Sequence, residues 1–152
     1  MSYFNLNWVL ANDIAIGPAP RKKNHLEILK ENNISSILSL CSINEIPQVE
    51  GASDCFVMER VVLPDHTYQE NMNVKDIRKA LDSLSKLRRN GAVYVHCVAA
   101  VERAPMICMA WLINSHKLTP EMALDYLMQV HPGTNPLPKQ LRLLKDPLLK
   151  NQ

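Results

Sequence analysis

One stretch of the chain carries reactive groups in close order: His96-Cys97-Val98-Ala99-Ala100-Val101-Glu102-Arg103. A thiol and a guanidinium separated by five residues suggest chemistry on an oxyanion. A loop of that length, set between a strand end and a helix start, can turn its backbone N–H groups inward as an anion nest, with the helix dipole behind it. A cysteine at the bottom of such a nest is the kind that reacts as a thiolate. Arg103 offers a planar fork to two oxygens of the same anion. A thiolate facing a bound phosphate is a nucleophile aimed at phosphorus. Alone, Cys-x5-Arg is a weak pattern, so the elements that hold it must carry part of the argument.

Those elements read as follows. Trp8–Leu10 and Ile14–Ile16 are short apolar runs, a small hairpin or two short strands ended by Gly17-Pro18. Lys23–Glu31 reads as a short helix and Ile34–Leu40 as a buried strand. Cys55–Leu63 reads as a second strand of that kind, stopped by Pro64. Asn73 is placed to cap a helix with an apolar stripe of Val74, Ile77, Leu81, Leu84 and Leu87, and Asp76 is its capping-box partner. Ala92–His96 is a strand apolar on both faces, and Arg103–His116 is a helix apolar nearly all round. Thr119-Pro120 starts a helix running to about Val130, and a last helix spans Lys139 to about Lys145. Strands alternating with helices predict an α/β fold with a central, mostly parallel sheet of about five strands flanked by helices. The motif then falls at a strand's carboxyl end, where such sheets present ligand sites.

The chain has 152 residues, 47% hydrophobic and 21% charged, which fits one globular domain over 1–152 and excludes a disordered chain. A net charge of +2, with short basic runs at Arg21-Lys22-Lys23 and Lys86 to Arg89, calls for no nucleic acid or anionic membrane as partner. No segment reads as a signal peptide or membrane span, and no two of Cys41, Cys55, Cys97 and Cys108 are spaced as Cys-x-x-Cys. The expectation is a cytoplasmic protein with free thiols. Cys108, Cys41 and Cys55 read as core residues, with a disulfide role for Cys41 or Cys55 in protecting Cys97 left open.

His96-Cys97-x5-Arg103 at a strand–helix junction resembles the signature of the cysteine-dependent protein tyrosine phosphatase superfamily. The likeness is to its small, atypical dual-specificity branch, on the bacterial or cyanobacterial side, and runs from Trp8 through the Pro132–Pro138 loop. It implies a single dual-specificity phosphatase-like catalytic domain. The implied activity is hydrolysis of phosphotyrosine, phosphoserine or phosphothreonine in proteins through a phosphocysteine on Cys97. Arg103 and the N–H groups of residues 98 to 103 would hold the phosphate. The implied protein needs no cofactor and no metal, works as a monomer, and has a phosphorylated protein as partner.

The resemblance also requires a general acid, an aspartate about thirty residues before the cysteine and just after a strand. Asp65 fits, following Val61-Val62-Leu63-Pro64 and preceding Cys97 by 32 positions; Asp54 lies at the strand's wrong end, and Asp76 and Asp82 fall on a helix. His96 is expected to point away from substrate and to bond the loop backbone. His66, Tyr68 and Asn135 are candidates for the substrate rim.

Two positions depart from the pattern. The family has glycine at the third place after the cysteine, where this chain has Ala100. If φ is positive there, alanine costs roughly 1 kcal/mol or more. The family has Ser or Thr after the arginine, a hydroxyl that helps the thiolate leave, and here stands Ala104. Glucan phosphatases of the same branch share Arg-Ala-Pro. The alternatives are therefore a phosphopeptide-binding pseudophosphatase and a phosphatase of a non-protein substrate such as phosphoglucan. With no Lys or Arg between Cys97 and Arg103, and with Glu102 opposing a polyanion, a substrate with one phosphate near the site is favoured.

Overall fold

A computed structural model describes residues 4–149. Five strands, β1 (Asn7–Leu10), β2 (Ile14–Gly17), β3 (Ile34–Ser39), β4 (Val57–Arg60) and β5 (Ala92–His96), form a sheet in the order β1-β2-β5-β3-β4. β1 and β2 pair antiparallel, whereas β2–β5, β5–β3 and β3–β4 pair parallel. The helices are α1 (Lys23–Glu31), α2 (Ala52–Cys55), α3 (Val74–Leu87), α4 (Arg103–His116), α5 (Pro120–Val130) and α6 (Pro138–Leu143). The expected α/β architecture is borne out, down to the strand count.

Each face of the sheet has its own apolar core. Val93 and Val95 of β5 point into the larger one, with Ile77 and Leu84 of α3 and Met106 and Ile107 of α4. Ala92 and Tyr94 point into the other, with Leu26 and Leu29 of α1, Ile37 and Phe56. Period-two alternation in a strand covered on both sides explains why β5 is apolar at every position but its last. Gly17 is needed for packing: a Cβ there would lie 2.3 Å from the Tyr94 hydroxyl, which donates to the Pro18 carbonyl at 2.6 Å.

The parallel register brings the loops together. Gly17 and Ser39 both pair with His96, and Ser39 pairs with Arg60, so four strands end on one line. Pairing continues briefly beyond it, from Leu40 N to His96 O, Val61 N to Ser39 O and Leu63 N to Leu40 O, each at 2.9 Å. The segments after β2, β3, β4 and β5 therefore leave from one edge.

Three expectations need correction. Cys55–Leu63 is not one strand: Gly51 (φ 85°) opens the single turn of α2, and β4 keeps only four residues. Cys55 ends that turn exposed instead of entering the core, because the turn buries Ala52. The last helix starts at Pro138 and ends at Leu143, with a separate 3-10 turn at Pro147–Leu149. At α3, the Asn73 side chain accepts from Asp76 N, as expected of the cap.

Candidate active site

Residues 97–102 join β5 to α4, and the carbonyls of Val98, Ala100 and Val101 are held by other segments of the chain. Val98 O accepts from Ala19 N at 3.0 Å, Ala100 O from the His131 ring Nε2 at 2.7 Å, and Val101 O from Asn135 N at 3.0 Å. None of the backbone N–H groups of residues 98–102 meets an acceptor among the described residues. A loop whose carbonyls are drawn outward leaves its N–H groups for the inside, at the start of the 14-residue α4. Cys97 lies buried at the base of a cleft of about 300 Å³, with Asp65, His66 and Glu102 among its walls.

Ala100 has φ 59° and no exposed surface, so it adopts the conformation that favours glycine. His131 stabilises it. Its Nε2 faces a carbonyl and must donate, which leaves Nδ1 to accept from the Asn7 side-chain amide at 2.8 Å. His96 works similarly on the other side. Nδ1 donates to the Cys97 carbonyl at 2.8 Å and Nε2 accepts from the Ser39 hydroxyl at 2.7 Å. Burial, reinforced by the nearby Arg60 and Arg103 charges, outweighs the bond to Cys97 and holds His96 down at about 4, so the ring is neutral. The ring is not among the residues that line the cleft around Cys97.

Arg103 is 2% exposed and doubly bonded to Glu45: Nη1 to Oε2 at 3.1 Å and Nη2 to Oε1 at 3.0 Å. Nη1 also donates to the Leu63 carbonyl at 3.0 Å. Burial alone would raise the Glu45 carboxyl. Bonds from Arg103, Ser42 N and the Tyr68 hydroxyl outweigh it and hold the carboxyl at about 2. Tyr68 is thus part of the arginine's support. Asn135 is exposed and joins the site through its backbone N–H.

The Asp65 carboxylate lies 3.5 Å from Arg103 Nη2. Burial pushes it up, but the Thr67 hydroxyl and N–H (2.5 and 2.8 Å), Arg103 and His66 together bring it below its ordinary value. Glu102 does not stand in the nest as a free charge. Its carboxylate accepts from His66 N at 3.1 Å and Gln140 Nε2 at 2.9 Å and contacts the His66 ring Nδ1. Asp65, His66 and Glu102 bring ligand-capable atoms within 4.8 Å of one another, a grouping able to hold a metal ion. Burial raises the Cys41 and Cys108 thiols and so favours their neutral, unreactive form. Glu45, His131 and Gln140 escaped the sequence reading; Glu45 alone had a signal, as an acidic residue in the loop after a strand beside β5.

This fold and this loop define a class, and residues 16–146 match its family, the dual specificity phosphatase catalytic domain. The chain belongs to that family. It is 22% identical over 134 residues to the phosphatidylglycerophosphate phosphatase PTPMT2 of Arabidopsis thaliana, covering 88% of this chain and 58% of that protein. The chain thus spans little more than half the length of this relative. Among solved structures it is similar to PTPMT1 in complex with PI(5)P, with TM-score 0.79 and 20% identity over 92% of each chain. It is also similar to Tk-PTP in its active form, with TM-score 0.78 and 20% identity over 92% of this chain and 93% of that one.

Proposed function

We propose that the protein is a cysteine-based phosphomonoester hydrolase acting on phosphoprotein. The reading rests on one observation: a loop with its carbonyls tied outward, Cys97 at its base and the buried Arg103 at its end. The phosphate enters with its oxygens toward the N–H groups of 98 to 103 and the Arg103 fork. Cys97 Sγ attacks phosphorus, and the bond from phosphorus to the ester oxygen breaks. Asp65 gives its proton to that oxygen. The substrate dianion beside Arg103 offsets the pull of Arg103 that lowers Asp65, which favours the protonated acid at this step. Asp65 then takes a proton from water, whose oxygen bonds phosphorus as the S–P bond breaks.

A second reading, a lipid phosphomonoester, is favoured by Glu102. Its carboxylate is engaged by His66 and Gln140, so the charge set against a polyanion is partly compensated. Arg21, Lys22 and Lys23 follow Ala19, whose N–H holds Val98, and so lie on the same side of the sheet edge. The relatives named for a lipid phosphate and crystallised with a phosphoinositide agree with this reading.

The test is turnover of a nitrophenyl phosphate by wild type, Cys97→Ser and Asp65→Asn, followed by phosphopeptides, phosphatidylglycerophosphate, phosphoinositides and phosphoglucan. Wild type is expected to turn over and Cys97→Ser to be inert on every substrate, whereas Asp65→Asn should lose little on nitrophenyl phosphate and roughly 10²–10⁴-fold on substrates whose leaving oxygen needs a proton, such as the phosphopeptides. Tight phosphopeptide binding without turnover would replace the enzyme with a pseudophosphatase. A preference for the lipids over every phosphopeptide would select the second reading.

A further inference from the structure

Glu102 occupies the N-cap of α4, yet its side chain makes no capping bond to the helix. A carboxylate turned onto those N–H groups would compete with an incoming phosphate. The residue is only 9% exposed, and a carboxylate so buried needs partners. It finds them in two other segments. Oε1 accepts from the backbone N–H of His66 and from Gln140 of α6, and Oε2 meets the His66 ring. His66 is the immediate neighbour of Asp65, so the bonds fix the peptide that carries Asp65.

We propose that Glu102 is a positioning residue, a clamp that fastens the Asp65 loop to the phosphate loop and holds the acid over the leaving oxygen. This rests on the hydrolase reading with Asp65 as its acid. Gln140 fixes one side of the clamp; its Oε1 also accepts from Leu137 N at 2.7 Å, so α6 orients the amide that meets Glu102. The carboxylate is thereby used twice, kept off the anion site and spent on the acid loop.

A clamp on the acid has a signature that loss of structure lacks. Nitrophenyl phosphate releases a stable anion and gains little from a proton donor, whereas phenyl phosphate depends on one. Glu102→Ala is therefore expected to lower kcat on phenyl phosphate by about 10–100-fold, and on nitrophenyl phosphate by under about threefold. Glu102→Gln retains an oxygen for His66 N and Gln140 and should recover most of the phenyl phosphate rate. Combined with Asp65→Asn, Glu102→Ala should add little further loss.

His66→Ala alters an exposed side chain, leaves the backbone bond, and should show a smaller loss of the same selective kind; it decides the matter should Glu102→Ala fail to fold. Equal losses on both substrates, or none on either, overturn the clamp while the hydrolase stands. Wild type that turns over neither substrate overturns the hydrolase reading, and the clamp with it.

Discussion

The carbonyl of Ala100 accepts a 2.7 Å hydrogen bond from the His131 ring, and that ring is itself held by Asn7. The peptide orientation that glycine usually supplies in this loop is thus imposed on alanine from behind.

The first expectation concerns Ala100 itself. Ala100→Gly removes strain of about 1 kcal/mol, but it also removes a buried methyl and loosens the unfolded chain, so the melting temperature should move by only a few degrees. Phosphate binding should be kept. Ala100→Val places a β-branched residue at positive φ with no free space, and should cost about 2–3 kcal/mol in thermal denaturation. A valine variant as stable as wild type would show that the loop holds no such strain.

His131→Ala leaves the Ala100 carbonyl without its partner and frees the Asn7 amide. Stability should fall by about 1–3 kcal/mol. Affinity for inorganic phosphate, measured by calorimetry, should weaken by more than the same experiment shows for a surface histidine such as His116. Equal affinities in the two variants would leave the loop shape independent of His131.

Glu45 controls a pH dependence. Its carboxyl, held at about 2 in the folded protein, has an ordinary value of 4.5, so the unfolded chain binds the proton more readily. The stability it contributes is complete above about 4.5 and is lost as pH falls from there toward 2. Urea unfolding of Glu45→Gln should lack this part of the acid slope. At neutral pH the variant leaves the buried Arg103 without its counter-charge, a loss of about 3–5 kcal/mol for a pair of this burial. An unchanged slope would remove Glu45 from the acid response.

Ala104 follows Arg103 in α4 with no exposed surface. Ala104→Ser adds a hydroxyl beside the loop and should speed the breaking of the S–P bond. A rapid-quench trace on nitrophenyl phosphate should then show a smaller burst than wild type and a faster steady state. An identical trace would mean that the first chemical step limits both proteins.

Legibility from sequence was uneven, for physical reasons. β5 and α4 were read to the residue because burial on all sides leaves little choice, and α5 because Thr119 caps it with Pro120 at its first position. The Cys55–Leu63 run misled because its apolar pattern suits a strand, while the turn at Gly51 and the edge position of β4 are tertiary matters. In the site, Cys97 and Arg103 were legible from their spacing, and Asp65 with its neighbour His66 from the family resemblance; the four line one cleft. Gln140 and His131 were not, because each acts from a remote segment through one or two bonds that no local pattern encodes, and Glu45 had only the weak signal of an acidic residue in a loop at the sheet edge. Glu102 was read by its charge alone, and its bonds change what that charge faces.

The three outward carbonyl bonds make the cleft depend on distant parts of the chain. Asn7 and His131 are 124 positions apart, and both must be docked before Ala100 is held. The dependence also runs in reverse. An anion bound above Cys97 should slow amide exchange at Asn135, whose N–H is spent on Val101, and so register its arrival more than thirty residues further along the chain.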